Sequence, residues 1–128
     1  MIYIVKNLFP ISIATLVGLA IGLAWLSLGA FDLPGPGIIA LAALCEFWLA
    51  AILAGALILA PAKAGEWTMA LGSAFIIWIG FVAPAFTATL AMAEESVSAI
   101  VSICLHWLIV MLVQAMTMKT IGLTPPPE

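Results

Sequence analysis

Two ionisable residues stand inside long apolar runs, and their chemistry is the first question the chain raises. Glu46 lies in "ALCEFWLA" (Ala43–Ala50) and His106 in "CLHWLIV" (Cys104–Val110), with no Asp, Glu, Lys or Arg within ten residues of either. A carboxyl and an imidazole can share a proton, hold a hydrogen bond or ligate a metal centre. Three chemistries fit. One is a buried polar clamp, with Glu46 protonated or paired with His106 so that helix register is set. A second is a proton-linked site. A third is ligation, with His106 holding a pigment or haem from one axial side. The single histidine excludes a bis-histidine haem within one chain. By helical phase Cys45 and Cys104 fall off the faces that carry Glu46 and His106, and they lack ligand spacing, so neither a metal site nor a disulfide is expected. No cofactor is expected unless His106 ligates one.

The elements that must position these groups are membrane helices. Of 128 residues, 66% are hydrophobic and 7% charged, where a soluble domain carries about 25% charged residues. So few charges cannot cover a folded surface in water, and the solvent must be lipid. Three lysines and no arginine exclude the basic footprint of a nucleic-acid binder. A span needs about 20 apolar residues, and four such runs occur, at about 9–30, 38–60, 67–90 and 97–118. The first is longer than the roughly 7–15 apolar residues of a secretory signal and is read as a retained helix. "FDLPGPG" (Phe31–Gly37), "PAKAGE" (Pro61–Glu66) and "AMAEES" (Ala91–Ser96) interrupt the runs with turn chemistry. Ser96 is a candidate N-cap, and the tail "TPPPE" should extend as polyproline II.

Loops this short make neighbouring helices antiparallel. The expectation is therefore an all-α fold, a single transmembrane domain over 1–128 forming an up-down four-helix bundle. Lys6, Lys63 and Lys119 fall on one side of it, and the positive-inside rule makes that side cytoplasmic, N-in and C-in. Asp32, Glu94 and Glu95 fall on the other. The location implied is a bacterial inner membrane.

In lipid, helices associate through small residues and buried polar contacts. Ala14, Gly18 and Gly22 form such a ridge on the first helix, and Ala42, Glu46, Ala50 and Ala54 on the second. Ser73, Gly80, Pro84 and Thr87 share a side of the third, and Ser98, Ser102 and His106 a side of the fourth. Gly18 and Gly22 are expected to pack within the chain rather than between chains. Pro84 removes one backbone donor, leaves the carbonyl of Gly80 unpaired and should kink its helix. Counting from Ile38, Glu46 lies about eight residues deep, roughly 12 Å at 1.5 Å per residue. His106 lies about nine residues in from Val97, at similar depth. Gln114 follows on the same stripe and could extend a polar path. Trp67 fits an aromatic belt, whereas Trp48, Trp78 and Trp107 fall deeper, as bulk.

The segments "WIGFVAPAFTATL" (Trp78–Leu90) and "CLHWLIVMLVQAMTMKTIG" (Cys104–Gly122) resemble the bacterial four-span membrane proteins grouped as domain of unknown function 1761. Trp78, Gly80, Phe81, Val82 and Pro84 match that family's W-x-G-F-V segment, and His106 its last-helix histidine. "GLAIGLAWLSLG" (Gly18–Gly29) is similar to its first-helix Gly-then-Trp pattern. The chain departs from it in two places. It lacks the longer polar segment between the first two helices, and Glu94-Glu95 replaces the basic residue between the last two. Glu46 therefore inherits no role. The resemblance implies a four-helix integral membrane fold and no activity.

No nucleophile with a base, phosphate-cradling loop or metal cluster is present, so an enzyme is not expected. The leading expectation is a non-enzymatic accessory or structural subunit packed against a larger membrane complex of respiratory or photosynthetic type. The alternative is a small oligomeric proton-coupled transporter or channel centred on Glu46. The partners implied are the bilayer, with other membrane proteins or further copies of the chain, and no nucleic acid.

Overall fold

In the computed structural model, residues 2–29, 32–61 and 65–125 are described. Phe31, Lys63 and the tail residues Pro126, Pro127 and Glu128 lie outside them, so the expectations placed on those positions are not addressed. The described chain is helical, without strands. A short α1 (Ile2–Lys6) precedes α2 (Leu8–Leu28), α3 (Pro36–Leu59), α4 (Glu66–Ile77), a π-helical turn (Trp78–Val82), α5 (Ala83–Met92) and α6 (Val97–Ile121). Four helical stretches, with α4 to α5 counted as one, are long and apolar enough to cross a bilayer. The protein is thus a multi-pass membrane protein built as a helical bundle.

Local chemistry explains each boundary. The break at Asn7 comes from Pro10, which has no N–H to bond the Lys6 carbonyl and whose ring would strike it. The Asn7 N–H turns back to Tyr3 and Ile4 instead. α3 starts two residues before the expected boundary because Pro36 suits the first helical position, where no donor is required. Ser96 caps α6 by accepting the Ala99 N–H at 3.2 Å. α6 runs three residues past the expected 118 and stops at Gly122, whose φ of 96° is open to glycine.

The third span differs from the expected simple kink. Pro84 cannot donate to the Gly80 carbonyl and would clash with it, and the helix answers with a wide turn in which the Ala83 N–H reaches the Trp78 carbonyl. This widened segment is pinned to α6. Trp78 Nε1 donates to the Cys104 carbonyl at 2.8 Å, the Cys104 thiol donates to the Ala83 carbonyl at 3.9 Å, and Thr87 Oγ1 lies 3.8 Å from Cys104 Sγ.

α6 packs against α2, α3, α4 and α5, and α2 also packs against α3. The interior is made of small residues: Ala14, Ala50, Ala51, Ala54, Ala74 and Ala115 are all fully buried, filled out by Ile11, Leu53, Met111 and Met118. Large apolar side chains such as Leu16, Leu44, Phe81 and Leu105 are exposed. That inversion is expected in lipid, where leucine gains nothing by leaving the surface and close approach of backbones holds helices together. Gly18 joins the buried set. Gly80 and Pro84 are corrected from the expected packing ridge: both are exposed, and a Cβ at Gly80 would meet nothing. Widening the helix at Trp78–Val82 shifts the register of the residues beyond it, so Pro84 faces outward while Thr87 still reaches Cys104 of α6.

Candidate functional site

The ridge of α2 meets the polar residues of α3 and α6 at one level of the bundle. Glu46 is 4% exposed and Gln114 fully buried. Gln114 Nε2 donates to Glu46 Oε2 at 3.4 Å, a long hydrogen bond. Gly18 makes room for it, because a Cβ there would lie 2.0 Å from Glu46 Oε2 and 2.7 Å from Gln114 Nε2. The carboxyl is thus seated directly on the backbone of α2, in space only a glycine leaves. One turn on, a Cβ at Gly22 would be 3.9 Å from Glu46 Oε1 and 3.8 Å from His106 Cε1. Glu46 and His106 therefore flank the same small space over Gly22, and among the described residues no hydrogen bond or ion pair joins them.

The polar set is under-satisfied. His106 Nδ1 and Gln114 Oε1 are shut off from solvent without a hydrogen-bond partner among the described residues. Such orphan groups are uncommon in folded proteins, and each calls for a reason. Aromatic rings hold the imidazole in place: Trp25 tilts over it at 5.5 Å and Trp107 stands edge-on at 5.5 Å.

Next to this cluster is an open cleft of about 490 Å³. It runs between α2, α3 and α6, from Pro34 at the entry to α3 down to Glu46 and His106, with Leu23, Trp25, Ile38, Leu41, Ile103 and Trp107 among its walls. From Pro36 to Glu46 is ten residues, or roughly 15 Å of helix. The cleft's volume falls in the roughly 300–1,000 Å³ range of small-molecule sites, which are apolar with a few polar groups. Cys45 is exposed on its wall, a free thiol. Among the described residues no three His, Cys, Asp or Glu stand close enough to hold a metal ion.

The other residues singled out in the sequence fall elsewhere. Ser98 is exposed and pairs with Ser96 at 3.1 Å, and Ser102 is half-buried outside the cleft lining. Gln114 is brought to Glu46, which its place on the His106 stripe did not specify. Asn7 was missed altogether. It is 1% exposed and locks the two ends of the chain together. Its Nδ2 donates to the Tyr3 and Thr124 carbonyls at 2.8 and 2.9 Å, and its Oδ1 accepts the Thr124 N–H at 2.7 Å. Asparagine next to a proline at three residues' distance was the available signal for a helix break, and nothing in the sequence pointed to Thr124.

No protein-family model matches the chain, and no match was found among curated proteins or solved structures.

Proposed function

We propose that the chain is a small, non-enzymatic proton-linked membrane transporter whose working site is the Glu46–His106 cleft, and that it acts as an oligomer. The observation that carries this reading is the cleft itself, lined by the Glu46 carboxyl and by an imidazole whose Nδ1 has no partner among the described residues. A structural clamp would close around its polar pair and satisfy it. Membrane-embedded ionisable residues mark ion and proton routes by default. One bundle of this size is thin for an enclosed pathway, so several copies are required.

The up-down order and cytoplasmic termini belong to this reading. In support, Asn7 bonds Thr124, Tyr3 Oη donates to the Ala51 carbonyl in the second half of α3, and Lys119 meets Glu66. These contacts gather Lys6 and Lys119 toward one end of the bundle, as the positive-inside rule requires. The resemblance to the domain of unknown function 1761 proteins stays a proposal resting on Trp78, Gly80, Phe81, Val82, Pro84 and His106.

A second reading, the accessory subunit, draws on the third span. It is the least buried of the four, and Gly80, Pro84 and Ala88 lie exposed along it at four-residue spacing. Such a ridge admits a neighbouring membrane helix.

Reconstitution into liposomes tests the first reading. A pH gradient should drive a proton flux that Glu46→Gln abolishes while the variant keeps the same oligomer size. Flux unchanged in Glu46→Gln would discard it. Co-migration with a large complex of other proteins after gentle solubilisation would favour the subunit instead.

A further inference from the structure

Resting on the reading of the cleft as the working site, we infer that its ligand is a lipophilic organic cation, which takes the place of a proton on Glu46.

Charge complementarity carries this assignment. Glu46 is the only acidic residue within α2, α3 and α6, and among the described residues no Lys or Arg lines the cleft. A buried carboxylate requires a positive partner, and Gln114 supplies only a neutral donor at 3.4 Å. Glu46 Oε2 faces that amide, whereas Oε1 faces the open space over Gly22. A cation arriving down the cleft meets Oε1 first.

The walls set the class of cation. Sodium or potassium would need several oxygen ligands to replace their water, and the cleft offers one carboxyl among leucines, isoleucines and tryptophans. A cation that carries its own apolar surface needs no such shell. Trp25 and Trp107 line the same cleft, and indole faces attract cations within about 6 Å. A neutral apolar ligand or an anion gives the carboxyl no reason to release its proton, whereas a cation does.

The exchange balances. The O–H bond of the protonated Glu46 carboxyl breaks, the proton passes to water, and the carboxylate pairs with the incoming cation. One positive charge replaces another, so the cleft's net charge is unchanged. Among the described residues, the titratable groups that share the cleft with Glu46 are His106 from α6 and Cys45, on a different face of Glu46's own helix. α2 presents Gly18 and Gly22, and the third span carries only Glu66, at its first residue. Protonating either Glu46 or His106 opposes the cation, so binding weakens as pH falls.

The test uses the full chain in lipid nanodiscs. Tetraphenylphosphonium, the equally sized anion tetraphenylborate and neutral triphenylphosphine oxide serve as probes, with calorimetry in two buffers of different ionisation heat to count protons. Tetraphenylphosphonium should bind saturably and release about one proton, with affinity falling about tenfold per pH unit where Glu46 is protonated. Tetraphenylborate should not compete. Glu46→Gln should weaken the cation at least ~10-fold, and Gly22→Leu, which fills the space over Oε1, should do the same with the carboxyl intact. The proton count on the unaltered chain stands even if a variant fails to fold. If the three probes bind alike without proton release, the cation assignment is overturned while the cleft remains a site. If none binds saturably, the cation assignment is overturned, and the flux assay above then decides the transporter reading separately.

Discussion

Gly18 is the seat of Glu46: a single added carbon on α2 would fall 2.0 Å from the carboxyl oxygen that accepts from Gln114. The contact joins three helices at one point, because Glu46 is on α3 and Gln114 on α6. Neither partner could approach α2 so closely at any other residue type.

Gly18→Ala should therefore displace the Glu46 carboxyl and break its bond to Gln114. Overpacking of this kind costs about 1–3 kcal/mol, read as a lowered midpoint of thermal unfolding in detergent. Shortening the acid relieves the conflict, so Gly18→Ala should cost less in a Glu46→Asp background. Additive effects in that double-mutant cycle would show that the two residues do not compete for space.

Gln114→Met should be nearly neutral, within about 1 kcal/mol. The substitution keeps the volume and removes one long interhelical hydrogen bond, of a kind worth about 0.6 kcal/mol in a membrane. It also removes the orphaned Oε1, which offsets that loss. Gln114→Ala leaves a void in a fully buried position and should destabilise more, by about 2 kcal/mol or above. Equal effects of the two would argue that polarity rather than packing matters there.

Asn7→Ala should loosen both chain ends together. It deletes three hydrogen bonds, two of them to Thr124, at about 0.5–1.5 kcal/mol each. The Thr124 amide should lose hydrogen-exchange protection and the C-terminal segment become cleavable by protease. An unchanged exchange rate at Thr124 would show that the lock carries no weight.

Glu66→Gln, in contrast, should leave stability nearly unchanged. Its partner Lys119 lies at 2.5 Å, but the side chains are 75% and 29% exposed, and exposed pairs gain little against water and salt. Unfolding midpoints at low and high salt provide the check, and a large salt-sensitive loss would contradict it.

The helices themselves were legible in the chain. Four apolar runs, a proline at the start of α3, a serine cap and a terminal glycine act locally, and the observed span boundaries lie within three residues of the expected ones. The extra break at Asn7 and the wide turn at Trp78–Val82 arise from Pro10 and Pro84 by the same local rule, a missing donor and a steric clash. The direction faced by Gly80 and Pro84 was not legible, because Gly80 lies within that turn and the turn changes the phase of Pro84 after it.

Glu46 could be singled out from sequence because one carboxyl in an apolar run has no bland local explanation. Its partner could not. Helical phase says which residues share a face but not which faces meet, so the sequence pointed to His106, at similar depth, and left Gln114 as an extension of the same stripe. Packing of α2 against α3 and α6 decided between them, placing the amide on the carboxyl and leaving the imidazole across Gly22. Composition alone determined that the chain lives in lipid and has spans of a given length, since those depend on summed transfer free energies. The cleft, the seat at Gly18 and the lock at Asn7 depend on side chains up to 117 residues apart in sequence, and only the tertiary arrangement brings such groups within reach.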